Sequence, residues 1–219
     1  MHPETEVLYD PEPRWPAFVA VLAVGGLYTA LPPQLTVGPR WGFFIVVVAM
    51  LIPTIIMHTR KYHHMDRIFG FGITVLVTIA LVVSVIMLID ALPKHTETPT
   101  ELLMSAGSLW LTNILAFTLW YWRLDAGGPH GRDRRQFHTD GAFLFPQMTM
   151  SPAAKREAGE ESWSPNFFDY LFIAFNTSTA FSPTDTPVLA RWAKILGMLQ
   201  SLISLTVLAL LAARAVNIL

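Results

Sequence analysis

The sequence predicts an all-α integral membrane protein: five transmembrane helices, with a short re-entrant helix before the last one. Three observations carry that expectation. The 219 residues are 53% hydrophobic and only 14% charged, with a mean hydropathy of +0.44, too little charged surface for a soluble domain of that length. Five apolar segments approach or exceed the roughly 17–25 helical residues that a hydrocarbon core about 30 Å thick requires. One further apolar segment, just before the last span, is too short to cross and ends in a run of hydroxyl side chains.

Residues 1–14, MHPETEVLYDPEPR, are acidic and proline-rich, with no basic region ahead of an apolar core. They are expected to be a polar tail on one membrane face and not a secretory signal peptide. Residues 15–98 are expected to form a three-helix peripheral unit. The first span, 15–31, opens on Pro16 at a helix-start position and closes at Pro32 and Pro33. The second, 41–58, carries Pro53, which removes a backbone donor and kinks a helix. The third, 68–92, is the longest and most aliphatic.

Residues 99–219 read as a second unit. Its first span, 100–122, follows Thr98, Pro99, Thr100 and Glu101, a capping box with proline at the first helical position. It ends in Trp120, Tyr121, Trp122 and Arg123, an aromatic belt with a basic anchor. Asn113 lies inside this span, where a polar side chain faces other helices; it is expected to back the short helix or to bridge two spans. A polar loop, 125–164, carries Gly127, Gly128, Pro129 and the basic residues Arg132, Arg134 and Arg135. Within it, GAFLFPQM is apolar enough to dock back onto the membrane part.

The re-entrant helix is expected over 165–178, started by Ser164 and Pro165. About 13 helical residues cover only ~20 Å, so the segment either enters the bilayer and turns or lies along the interface. The turn, 179–187, leads to the last span, 188–219. Lipid supplies no water, so irregular backbone at that depth must face protein or a wet cavity, and a water-filled pathway follows. Its candidate lining is Asn176, Thr177, Ser178, Thr179, Phe181, Ser182, Pro183, Thr184 and Asp185. Hydroxyls and freed carbonyls replace part of an ion's hydration shell, the C-terminal end of the short helix favours a cation, and Asp185 adds a full negative charge. On the last span Gly197, Gln200, Ser201 and Ser204 recur at helical spacing. That stripe suits a pathway lining or close helix packing. A local reading competes: Ser182, Pro183, Thr184 and Asp185 also fit a cap that begins the last helix.

This order of elements resembles the pore module of tetrameric potassium-type (pore-loop) cation channels. The matching residues are Tyr170 to Phe175 for the pore helix, Thr177, Ser178 and Thr179 for the filter entrance, Asp185 for the acid after the filter, and Lys194 for a basic residue opening the inner helix. From about Gly141 onward the chain is also similar to an uncharacterised family of bacterial integral membrane proteins with a channel-like C-terminal half. The resemblance implies a homotetramer conducting a monovalent cation in a bacterial or archaeal plasma membrane, with no other cofactor. It departs from the potassium pattern in one respect. That filter needs two glycines around an aromatic to turn its carbonyls inward, and residues 176–190 contain no glycine. The filter implied is therefore hydroxyl-rich and without the glycine–tyrosine–glycine pattern.

Of the 15 Lys and Arg, all but Arg40, Lys94 and Arg214 fall on the side of the N-terminus in the five-span arrangement. The positive-inside rule then puts the N-terminus in the cytoplasm and the C-terminus outside. This sets the filter-like turn on the cytoplasmic side, opposite to the potassium-channel arrangement.

Other function classes have less to rest on. A net charge of −1 argues against a nucleic-acid partner. Cysteine is absent, which excludes disulfides, thiolate metal sites and a Cys nucleophile. No Ser/His/Asp, zinc-protease or phosphate-loop pattern supports an enzyme, and no arginine ladder supports a voltage sensor. A small secondary transporter is disfavoured by the lack of internal repeats. A non-conducting scaffold or partner subunit remains the alternative. His58, His63 and His64, with Asp66 as the nearby acid, read as interfacial histidines and not as a metal site.

Overall fold

A computed structural model describes residues 11–60, 63–91, 98–135, 138–182 and 185–216. It consists of helices α1 (Trp15–Thr29), α2 (Arg40–Thr59), α3 (His63–Ala91), α4 (Pro99–Leu124), α5 (Pro129–Arg132), α6 (Pro146–Thr149), α7 (Pro152–Ala158), α8 (Phe167–Thr179) and α9 (Arg191–Val216). Extended pairing among the described residues is limited to an isolated antiparallel bridge between Phe143 and Val188. Four helices, α2, α3, α4 and α9, are long and apolar enough to cross a membrane. At 15 residues, α1 measures only ~22 Å; Pro16 opens it and Pro32 and Pro33 stop it. The second helix continues through Pro53 to Thr59.

Helices α1 to α4 pack as a ring of sequence neighbours, closed by α1 against α4. On the outer side of α4, α8 and α9 pack against it and against each other. The fourth helix is therefore central: 67% of its apolar window is buried, against 17% for α2 and for α9. Its sequence suits that position. Ser105, Ser108, Thr112, Asn113 and Thr118 are all buried, and polar side chains inside a span are tolerated where protein supplies their partners. The capping box at its start is present: Glu101 N donates to Thr98 Oγ1, and Thr98 N donates to the Glu101 carboxylate at 2.9 Å.

The two ends of the bundle differ. At one, here the near end, Arg14 pairs with Glu12 and Asp133, and the Trp122 indole donates to Glu12. At the far end Val37 N donates to Tyr28 Oη at 2.9 Å, and Ser84 Oγ donates to Leu35 O at 2.8 Å. The first helix thus runs from the near end to the far end despite its length.

The course of α8 is set by its contacts. Its first residue, Phe167, meets Trp122 at the near end with ring centroids 5.7 Å apart. Phe175 meets Trp110 at 6.0 Å, and Ser178 lies beside Asn113 in the middle of α4. From there the chain returns: Leu144 N donates to Pro187 O at 2.9 Å and Leu189 N to Ala142 O at 2.7 Å. Ala142 N is itself bound by Asp125 just after α4. The last helix then starts at the near end and runs antiparallel to α4.

Two starts differ from expectation for local reasons. Asn166, not Ser164, caps α8: Phe168 N donates to Asn166 Oδ1 at 2.8 Å and Asn166 N to Asp169 Oδ2 at 2.7 Å. The last helix begins at Arg191, because residues 187–189 are held in extended pairing with 142–144. Ser182 and Asp185 therefore lie too far ahead of it to cap it; Pro183 and Thr184 lie outside the described residues. As expected, the apolar part of the loop docks: Phe143 and Phe145 are buried.

Candidate functional site

The residues singled out between 176 and 204 fall into three overlapping groups. The first is buried. Ser178, Gln200 and Ser204 have no exposed surface and Thr177 almost none. They meet around Asn113, whose Nδ2 lies 3.1 Å from Gln200 O, 3.4 Å from Ser204 Oγ and 3.5 Å from Ser178 Oγ. Gln200 is the hub. Its Nε2 donates to Ala174 O at 2.6 Å and Ser178 Oγ at 2.8 Å, and its Oε1 accepts from Tyr121 Oη at 2.7 Å. Ser201 Oγ donates to Thr177 O at 3.3 Å. Helix α8 is thus held against α4 and α9 by side chains bonded to its own C-terminal carbonyls. Asn113 both backs the short helix and bridges two long ones.

The second group lines a groove of about 490 Å³ between α8 and α9. Thr177, Phe181, Gly197 and Ser201 come together there, with Lys194 among the other lining residues. The third group is the turn. Thr179, Phe181, Ser182 and Asp185 are exposed, and Asn176 is half-buried. Pro183 and Thr184 lie outside the described residues. The hydroxyls help to end α8: Thr177 Oγ1 donates to Ile173 O at 2.8 Å and Thr179 Oγ1 to Phe175 O at 2.9 Å. Bonds of this kind compete with the helical ladder. Phe181 then takes φ +55, a left-handed conformation that a bulky residue rarely adopts. Strain of this type concentrates at functional turns.

At the near end a charged cluster fixes where α8 and the 125–164 loop sit. Asp125 is fully buried and accepts from Ala142 N and, at 2.7 Å, from Tyr170 Oη of α8. Gly141 must lack a side chain, because a Cβ there would lie 2.8 Å from Asp125 Oδ1. Arg132, one of the basic residues of the polar loop, is only 3% exposed. Its Nη1 donates to Trp122 O and Asp125 O at 3.0 Å each, its Nη2 to Glu12 Oε2 at 2.8 Å, and it lies over the Tyr170 ring. Burial pulls the Arg14 pKa below its ordinary value although Asp133 and Glu12 oppose that shift.

The near end also adds to His58 and Asp66 a residue that sequence spacing did not connect with them, His130. Asp66 Oδ2 lies 2.8 Å from His130 Nε2 and 3.5 Å from His58 Nδ1, and the three donor sets fall within 4.8 Å of one another. That is the spacing of a metal-ligand set, with His130 arriving from the loop. The side chains of His63 and His64 lie outside the described residues. Four arginines line the same cavity, and their field opposes a cation there.

Comparison of the chain with protein-family models, curated proteins and solved structures returns no match.

Proposed function

We propose that the chain is a pore-loop-type membrane protein, a homo-oligomeric cation channel with a tetramer favoured, spanning the bilayer five times with α8 as its re-entrant helix. One observation carries the reading. Helix α8 starts at the near end, stops beside Asn113 halfway along α4, and hands the chain back to Ala142 before α9 begins. A half-depth helix with an irregular return is sustained in lipid only where the return faces protein or water. With Ser178, Gln200 and Ser204 engaged inside one chain, the lining falls to the exposed Thr179, Ser182 and Asp185, with Thr177, Gly197 and Ser201 along the groove. The permeant ion is a monovalent cation, drawn by the carboxylate of Asp185 and by the hydroxyls.

The test is ion flux through protein reconstituted in liposomes, under separate sodium, potassium and chloride gradients. Wild type should pass cations over chloride. Asp185→Asn should reduce that preference several-fold, and Thr179→Val should lower cation flux. Flux equal to that of empty vesicles under every gradient would sink the reading. One observation favours a non-conducting scaffold instead: the Asn113 cluster closes within a single chain. That alternative predicts the same oligomer with no flux.

A further inference from the structure

Between α1, α2, α3, the end of α4 and the loop after it lies a separate cavity of about 350 Å³. Its lining includes Arg14, Arg67, Arg123 and Arg134 against a single carboxylate, Asp66. Arg14 is already matched by Glu12 and Asp133, and Asp66 is engaged by His130 and His58. Arg67, Arg123 and Arg134 have no ion-pair partner among the described residues. Arg123 is the most telling. Its Nε is buried without an acceptor, and its guanidinium lies across Gly70 of α3, where any Cβ would collide with it. Arg67, which lies over the Phe71 ring, and Arg134 are exposed at the rim.

Arg123 stacks on the Trp122 ring and feels the field of Asp66, a carboxylate it shares with two histidines. A guanidinium withdrawn from water with only a shared counter-charge is costly, and its planar fork of donors matches an oxyanion. The cavity has room for a cluster of waters or a small polyatomic anion. A basic pocket between helices at one membrane face is also the setting in which anionic headgroups bind. We infer that this cavity binds a phosphate-bearing anion, either free phosphate or the headgroup of an anionic phospholipid, with Arg123 at its floor and Arg67 and Arg134 at its rim. The site is independent of the pore reading and stands or falls without it.

The purified full-length chain is tested with two probes: inorganic phosphate by calorimetric titration, and phosphatidylglycerol against phosphatidylcholine by native mass spectrometry. Saturable phosphate binding that phosphatidylglycerol does not displace identifies a free-anion site. Selective retention of phosphatidylglycerol, with phosphate inert, identifies a headgroup site. In either case Arg123→Gln and Arg134→Gln should each weaken binding about tenfold or more, as loss of a charged hydrogen bond does. Arg134 is exposed, so its variant keeps the test valid if Arg123→Gln fails to fold. The inference is overturned if neither probe binds, if both variants bind as wild type does, or if zinc binds stoichiometrically and is lost in His130→Ala while phosphate never binds.

Discussion

Asp125 joins three pieces of chain that are far apart in sequence: the end of α4, the return at Ala142 and the start of α8 through Tyr170. Asp125→Ala leaves the Ala142 N–H and the Tyr170 hydroxyl buried and unpaired, at a cost of roughly 1–3 kcal/mol for each. A clear drop in thermal midpoint in detergent is expected, with Tyr170→Phe giving a smaller one; an unchanged midpoint for Asp125→Ala would contradict this role. Phe181 offers a gain at the same scale. Its φ of +55 carries a penalty of about 1–2 kcal/mol that glycine escapes. Phe181→Gly should therefore raise stability or leave it unchanged, and its effect on flux would show whether the strain serves the turn. Neither role was legible in the sequence. The partners of Asp125 lie 17 and 45 residues away, and only glycines advertise positive φ. Asn113 was legible, because an amide inside an apolar span has to find partners.

At the scale of elements, the short helix is held by few but convergent bonds. Gln200→Leu removes the acceptor of Tyr121 Oη and the donor to Ala174 O and Ser178 Oγ. Interhelical bonds of this kind average roughly 0.6 kcal/mol in membrane proteins, so the variant should fold yet release α8. Hydrogen exchange should rise across 170–179 while α2 and α3 stay protected; uniform change across the chain would show that the cluster serves the whole bundle instead. The loop has its own anchor in His138, which is buried against Phe145 and Trp163. Its two ring nitrogens are without partners among the described residues. Burial lowers its pKa, with Asp125 and Asp140 opposing and Arg132 and Arg135 reinforcing the shift. A histidine kept neutral in the fold contributes fully above its unfolded pKa of about 6.5, and that contribution is lost as pH falls below it. Stability should therefore decline from pH 7 toward pH 5 by up to about 1.4 kcal/mol per unit. His138→Phe should flatten that slope, and an unchanged slope would exclude His138 as its source. The existence of α8 and the docking of the GAFLFPQM segment were readable from length and apolarity. The start of α9 was not, because it is delayed by pairing with a loop more than 40 residues earlier.

For the whole molecule the sequence carried the all-helical class and the four long apolar helices, since length and hydropathy act locally. The six-helix packing around α4 was not readable: it depends on which faces meet, and α9 shows why. Only a narrow side of α9, including Ala193, Gln200, Ser204 and Val207, is buried, while Met198, Leu202 and Leu205 are more than half exposed. That outer face is apolar, as a face turned toward lipid would be. Orientation can be tested without altering it. The chain has no cysteine, so each introduced thiol reports alone. Ala154 sits in α7 on the 125–164 loop, which joins the near end with Glu12 and Arg14. Val37 is exposed on the connection at the far end. The excess of Lys and Arg on the near side predicts that this side faces the cytoplasm. In intact cells a membrane-impermeant maleimide should then label Val37→Cys and spare Ala154→Cys until the membrane is opened. The reverse pattern would invert the molecule and place the turn after α8 on the outside, as in potassium channels. Labelling of both sites in sealed cells would mean that the near and far ends share one face, which would remove the spanning bundle altogether.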